Sequence, residues 1–261
     1  MTVKVKKPKL APPPYKLNSF PAGFAERLAK KIIVLLATKK KPSISGKEWE
    51  QLFAECIDAN WQSSNVGLRD VYKDTSCWSA KTIEGPKKVA NKKTVRLISG
   101  RNNTGFSFDI DVTGSSDPQD VGRRVLEIWN TRVNDAKKEF TYLRQVVLIR
   151  SKDYKEYVVF ETAITTYNAD DYTFTWNENN NVEGRRKSDN KHVFTWQKEG
   201  KQFTIIEDVP SKHVHIKLKK LPEPLNDERI LEAIGYNDDS KADWFSAEGG
   251  KANGAKIKNS K

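Results

Sequence analysis

The sequence predicts an α/β fold, with a mixed β-sheet flanked by helices and a β-hairpin-rich C-terminal lobe. Three observations carry this expectation. Apolar residues recur at helical spacing in three segments, short strand-like runs lie between those segments, and beyond residue 166 the pattern turns to strands punctuated by polar turns. Of the 261 residues, 37% are hydrophobic and 10% aromatic, which is enough for a sizeable core and argues against wholesale disorder.

In chain order, residues 1–19 form a basic, Pro-rich lead-in, stiffened by Pro12 to Pro14. A first helix is expected over 22–38, with Phe24, Leu28, Ile32 and Leu35 as its stripe, ended by "KKKP" at 39–42. Ser45 followed by Glu48 is a capping-box pattern and opens a second helix over 46–60. Strands are expected at 66–72, 76–83, 94–99 and 105–112. Asp117 and Pro118 then start a third helix, whose buried face is Val121, Val125, Ile128 and Trp129. Strands resume at 142–151 and 156–165, and 167–218 reads as hairpins. Within these, "TFTWNENN" at 173–180 is echoed by "VFTWQKEG" at 193–200, a pair of related strands and not a repeat array. The organisation expected is a lead-in at 1–19, an α/β core at 20–165, a β-rich lobe at 166–237 and a loose tail at 238–261.

Lys and Arg total 46 against 34 Asp and Glu, a net charge of +12. Such a surface favours a polyanionic partner, of which nucleic acid is the commonest. A membrane partner is not expected, because no amphipathic basic helix or lipidation signal is present. The longest apolar run, 32–37, is too short for a bilayer. Cys56 and Cys77 have no CxxC spacing, so they read as reduced core residues of a cytoplasmic protein and not as finger-type zinc ligands.

The chemistry gathers around "RDVYKDTSCWSAKT", residues 69–82. Alternation along a strand places Cys77, Ser79, Lys81 and Ile83 on one face. The polar turn at 73–76 folds Asp70 back beside Ser79 and Lys81. On the preceding helix, Trp49, Leu52, Phe53, Cys56, Ile57 and Trp61 form one apolar arc, and Glu50 falls inside it. Glu48 is explained by the cap and Glu55 by solvent. A core-facing carboxylate must be paired or must coordinate something. Taken singly, Lys81 reads better as a snorkelling strand lysine and Asp70 as a turn-flanking acid, and Glu50 reads equally as an edge residue of its stripe. Together, Glu50 and Asp70 suit a hard divalent ion such as Mg²⁺, with Lys81 beside a phosphate.

At these residues the chain resembles the PD-(D/E)XK nuclease superfamily, in particular type II restriction endonucleases. "GKEWE" at 46–50 is similar to the helix start that carries the family's glutamate, "RD" at 69–70 stands where Pro-Asp is expected, and "SAK" at 79–81 stands for acid-x-Lys. Arg69 replaces the proline and Ser79 the second acid, so the resemblance implies that Glu50 supplies the missing carboxylate. It covers about 46–112. It implies a restriction-endonuclease-like core, Glu50, Asp70, Ser79 and Lys81 as catalytic residues, Mg²⁺ on Asp70 and Glu50, and cleavage of double-stranded DNA. A homodimer is expected, with a monomer as the alternative.

Base contacts would come from elsewhere. Arg101, Asn102 and Asn103 in a turn, and Arg185, Arg186 and Lys187 in a hairpin loop over 179–191, are the candidates, since Arg reads guanine and Asn reads adenine in the major groove. Ordinary turn or phosphate-contacting roles are the simpler explanation for both groups. Tyr172, Trp176 and Trp196 read as packing residues. Asp109 with Asp111, and His213 with His215, are rival pairs, neither sufficient for a second site. The competing class is a non-catalytic nucleic-acid-binding protein, and within the enzymes a structure-selective repair or junction nuclease.

Overall fold

A computed structural model describes residues 11–62, 68–101 and 116–236. The elements are α1 (Phe24–Ala37), α2 (Gly46–Cys56), β1 (Asn60–Trp61), β2 (Val71–Lys73), β3 (Ser76–Gly85), β4 (Thr94–Arg101), α3 (Pro118–Lys137), β5 (Tyr142–Ser151), β6 (Glu156–Ala163), β7 (Tyr172–Trp176), β8 (Val182–Arg186), β9 (His192–Gln197), β10 (Gln202–Asp208), β11 (Val214–Lys217) and α4 (Asp227–Ala233). The protein is α/β, with a mixed sheet, as the sequence leads one to expect. The strand expected at 105–112, with Asp109 and Asp111, lies outside the described residues, as does the tail at 238–261.

The first sheet has the order β1-β2-β3-β5-β6-β11. Among the described residues only β3 and β5 run parallel, because α3 lies between them in the chain and carries it back to the same end. Both faces of β5 are covered, so Val146, Val147, Leu148 and Ile149 are all fully buried, the continuous apolar run expected of a central parallel strand. Helices α1 and α2 cover one face, where Trp49, Phe53, Trp78 and Val146 share a cluster. On the opposite face α3 packs over Cys77 and Leu143, and β4 packs over Val147, Ile149 and Phe160.

The second sheet, β4-β10-β9-β8-β7, is antiparallel throughout. The echoed segments are β7 and β9, separated by β8, and their Phe174 and Phe194 rings stack at 6.5 Å. Tyr172 and Trp196 are buried and Trp176 is half-buried in the same cluster, so all three are packing residues. Strands cross the boundary expected at 165/166 in both directions. β4 pairs with β10 from Thr94↔Asp208 to Arg101↔Gln202, and β11 returns to pair with β6.

Two further expectations change. Leu36, not Leu35, completes the buried stripe of α1, because one turn beyond Ile32 falls at residue 36. Helix α2 stops at Cys56, short of 60. Asp58 turns left-handed (φ 52°) and the Ala59 N–H donates to the Ala54 carbonyl at 2.9 Å, which closes the helix in a Schellman-like cap without glycine. The N-terminal lead-in is also part of the core from Tyr15 onward. Tyr15 and the Asn18 backbone N–H both donate to the Glu161 carboxylate, at 2.9 and 3.0 Å, and buried Arg144 pairs with the same group at 3.1 Å.

Candidate active site

The β2–β3 hairpin sets the geometry. Its turn places Asp74 at φ 49°, and the register Lys73↔Ser76, Tyr72↔Cys77, Val71↔Trp78 fixes the two strands. One residue ahead of β2, Asp70 prolongs the pairing, its N–H donating to the Trp78 carbonyl at 3.0 Å. Asp70 therefore stands opposite Ser79. Its Oδ2 accepts the Ala80 N–H at 2.8 Å and the Ser79 hydroxyl at 3.2 Å; Oδ1 takes neither bond. Arg69 pairs with Glu139 just beyond the end of α3 and so ties the entry to β2 to that helix.

Glu50 comes to the same place from α2. The capping box that starts the helix is complete, with Ser45 Oγ accepting the Glu48 N–H and the Glu48 carboxylate accepting the Ser45 N–H at 2.7 Å. Trp49 and Phe53 are fully buried against the sheet, which leaves Glu50 half-buried at its edge. There Trp61 Nε1 on β1 donates to Glu50 Oε2 at 3.0 Å. The early stop of α2 makes room for β1 and so places Trp61. Glu55 pairs with Lys31 at the surface, as its place outside the apolar arc implies.

The two carboxylates share one electrostatic field. Burial pushes the Glu50 pKa up; the Trp61 hydrogen bond opposes this, the Asp70 charge adds to it and Lys81 counters it. Burial also raises Asp70, against the opposing pull of Lys81, the Ala80 N–H, the Ser79 hydroxyl and Arg132. The structure thus brings Glu50, Asp70, Ser79 and Lys81 together.

It adds one residue that sequence reasoning missed. Arg132 on α3 donates from Nη1 to the Ser99 carbonyl at 2.8 Å. Burial lowers its pKa and the Asp70 charge raises it. The signal was available: residue 132 falls between Val121 and Val125 on the buried arc that runs on to Trp129, so a helix wheel marks it as it marks Glu50.

Arg185 and Arg186, expected to read bases, lie in the second sheet. Arg101 ends β4, and Asn102 and Asn103 lie outside the described residues. Arg185 and Arg186 are on strand β8 and not in a loop. Their side chains bond within their own hairpin, Arg185 to the Asn190 carbonyl and Glu183, and Arg186 to Asp189, each at 3.3 Å. The Lys187 N–H donates to the Asp171 carbonyl at 2.9 Å. His213 bonds the Pro210 carbonyl and His215 sits 3.9 Å from Glu156, so these histidines are engaged locally.

Among the described residues no three His, Cys, Asp or Glu side chains gather as a metal site. The donors at Asp70 are two carboxylates with a hydroxyl, an all-oxygen set that fits a hard cation completing its shell with water and phosphate. Two carboxylates raised by burial, Glu50 further by the Asp70 charge, are also what such a cation would relieve. No protein family matches the chain, and no curated protein or solved structure does either. Among the described residues no helix is long and apolar enough to cross a membrane.

Proposed function

We propose that the chain is a Mg²⁺-dependent endonuclease of the restriction type, hydrolysing phosphodiester bonds in double-stranded DNA from a restriction-endonuclease-like core. The observation that carries this reading is the Asp70 carboxylate, buried yet held by Ser79 and the Ala80 N–H, and flanked by Glu50 and Lys81. Asp70 and Glu50 would hold the cation. When bound, Mg²⁺ lowers the pKa of a coordinated water and offsets charge on the phosphate. Lys81 supplies a point charge to the scissile phosphate and orients the attacking water, and Arg132 adds a second cation facing Asp70. Ser79 serves through Asp70, fixing its rotamer. The net charge of +12 suits a phosphate backbone. A cytoplasmic homodimer acting on duplex DNA completes the proposal.

Incubation of the chain with plasmid DNA and Mg²⁺ tests it. Discrete fragments are expected, and the ends recovered by sequencing report the site and the overhang. Lys81→Ala, Asp70→Ala and Glu50→Ala are each expected to lose about 10²-fold or more in rate while keeping DNA affinity, which phosphate contacts elsewhere supply. Glu48→Ala is expected to keep activity and lose about 1 kcal/mol of stability through the cap. Binding without cleavage at any metal condition would overturn the enzyme reading in favour of a nucleic-acid-binding protein. Cleavage confined to branched DNA would overturn the restriction reading alone.

A further inference from the structure

On the side covered by α3 and β4, one row of the first sheet is polar across three strands. Ser79 on β3 pairs with Gln145 on β5, and Gln145 pairs with Thr162 on β6. Paired positions share a face, so three polar side chains lie next to one another across three strands. On one side of this row stand Cys77, Leu143 and Ile164, which pack under α3. On the other side, beyond Lys81, stand Val147 and Phe160, which pack under β4. Asp70 stands at the Ser79 end of the row.

Gln145 is 2% exposed, and its Oε1 is buried with no hydrogen-bond partner; the Thr162 hydroxyl is in the same condition. A buried carbonyl without a partner forfeits its hydration for nothing, and native proteins keep few such groups. Replacing Gln145 with Leu or Met would remove the cost at nearly constant volume, so the amide has a use outside folding. An amide oxygen is a neutral, hard ligand of the kind that divalent cations accept beside carboxylates. At the adjacent position on β3, Ser79 stands where the resemblance calls for an acid.

We propose that Gln145 Oε1 is an oxygen ligand of the divalent-cation site formed by Asp70 and Glu50, supplying from β5 what a carboxylate at position 79 would supply from β3. The proposal rests on the metal-dependent reading above. It gives the site a third oxygen donor without a third negative charge. That matters where two carboxylates already repel each other in a desolvated setting.

The test is calorimetric titration of the full chain with Mn²⁺ alone and Mg²⁺ alone, without DNA, alongside thermal denaturation without metal. Gln145→Leu is expected to melt at or above the wild-type temperature and to bind Mn²⁺ about tenfold or more weakly. Gln145→Glu, which keeps the shape and adds charge, is expected to bind Mn²⁺ at least as tightly as wild type and to melt lower without metal. Thr162→Val is expected to leave Mn²⁺ affinity unchanged. Wild-type affinity in Gln145→Leu together with lost affinity in Asp70→Ala would overturn the role of Gln145 and leave the cation site standing. Should Gln145→Leu not fold, weaker binding by Gln145→Glu than by wild type overturns the role by itself. No Mn²⁺ or Mg²⁺ binding by the wild-type chain, or unchanged binding by Asp70→Ala, would overturn the metal reading and this inference with it.

Discussion

At Asp70 burial acts against the charge while four neighbours act for it. The side chain is 7% exposed, and its pKa lies above the ordinary 3.8 because desolvation outweighs Lys81, the Ala80 N–H, Ser79 and Arg132. The sign of the linkage follows. A folded-state pKa above the unfolded one means that the folded chain binds the extra proton. The stability this contributes is complete below the unfolded pKa and is lost as pH rises through the folded value. Asp70→Asn, which keeps an acceptor for the Ala80 N–H, is therefore expected to melt above the wild type at neutral pH. The difference should close as the pH falls toward about 4, near the unfolded aspartate value, and thermal melts across that range check it. A variant that melts below wild type at neutral pH would show that the neighbours win and that Asp70 is a stabilising ion. At this scale the sequence was informative about Asp70, Ser79, Lys81 and Glu50, because alternation along a strand and angle around a helix are local properties. Gln145 was not legible. It opens an apolar run within "QVVLI", and only the pairing of β5 with Ser79, a nonlocal fact, gives it a neighbour.

Elements were legible where a local pattern agreed with composition and were missed where the two conflicted. The starts of α2 and α3 follow from their caps: Ser45 closes its box with Glu48, and Asp117 accepts the Gln119 N–H at 3.1 Å. β8 was hidden because Arg185, Arg186 and the neighbouring Asn and Lys read as loop. Its alternation, with Val182 and Gly184 buried between half-exposed Glu183 and Arg185, is nevertheless that of a half-buried strand. The same surface explains a glycine that helix propensity alone would reject. Gly122 is buried within α3, and a Cβ there would lie 2.2 Å from the Phe174 ring of β7. Gly→Ala in a helix interior gains up to about 1 kcal/mol from propensity. Here overpacking against a ring fixed between β7 and β9 costs about 1–3 kcal/mol. Gly122→Ala is therefore expected to destabilise the protein, read as a lower denaturation midpoint in urea. A raised midpoint would show that the second sheet yields to α3 without cost.

Across the whole molecule, the division between an α/β core and a separate β-rich lobe is replaced by shared packing. Strand β4 belongs by sequence to the first half, yet its only strand partner among the described residues is β10. Its Val95 and Leu97 pack on the first sheet, so β4 couples the two sheets from within one strand. Helix α3 couples them again, with Trp129 6.0 Å from Phe203 and with Cys77 and Phe194 in one continuous cluster. None of this was legible locally, since periodicity identifies strands but not their partners. Removing 166–261 would leave β4 an unpaired edge and strip α3 of the surface that buries Val121, Val125 and Trp129. A chain ending at residue 165 is thus expected to lose cooperative thermal unfolding and to bind hydrophobic dyes, whereas the intact protein unfolds in one transition seen alike by far-UV circular dichroism and tryptophan fluorescence. A truncated chain that melts cooperatively near the intact temperature would restore the two-lobe division. It would also imply that the Asp70 site, built wholly from residues before 165, can be held without the second sheet. The failure expected here runs the other way: Arg132 acts on the Asp70 charge from a helix whose opposite flank rests on β7 and β8, so the second sheet helps to position the site.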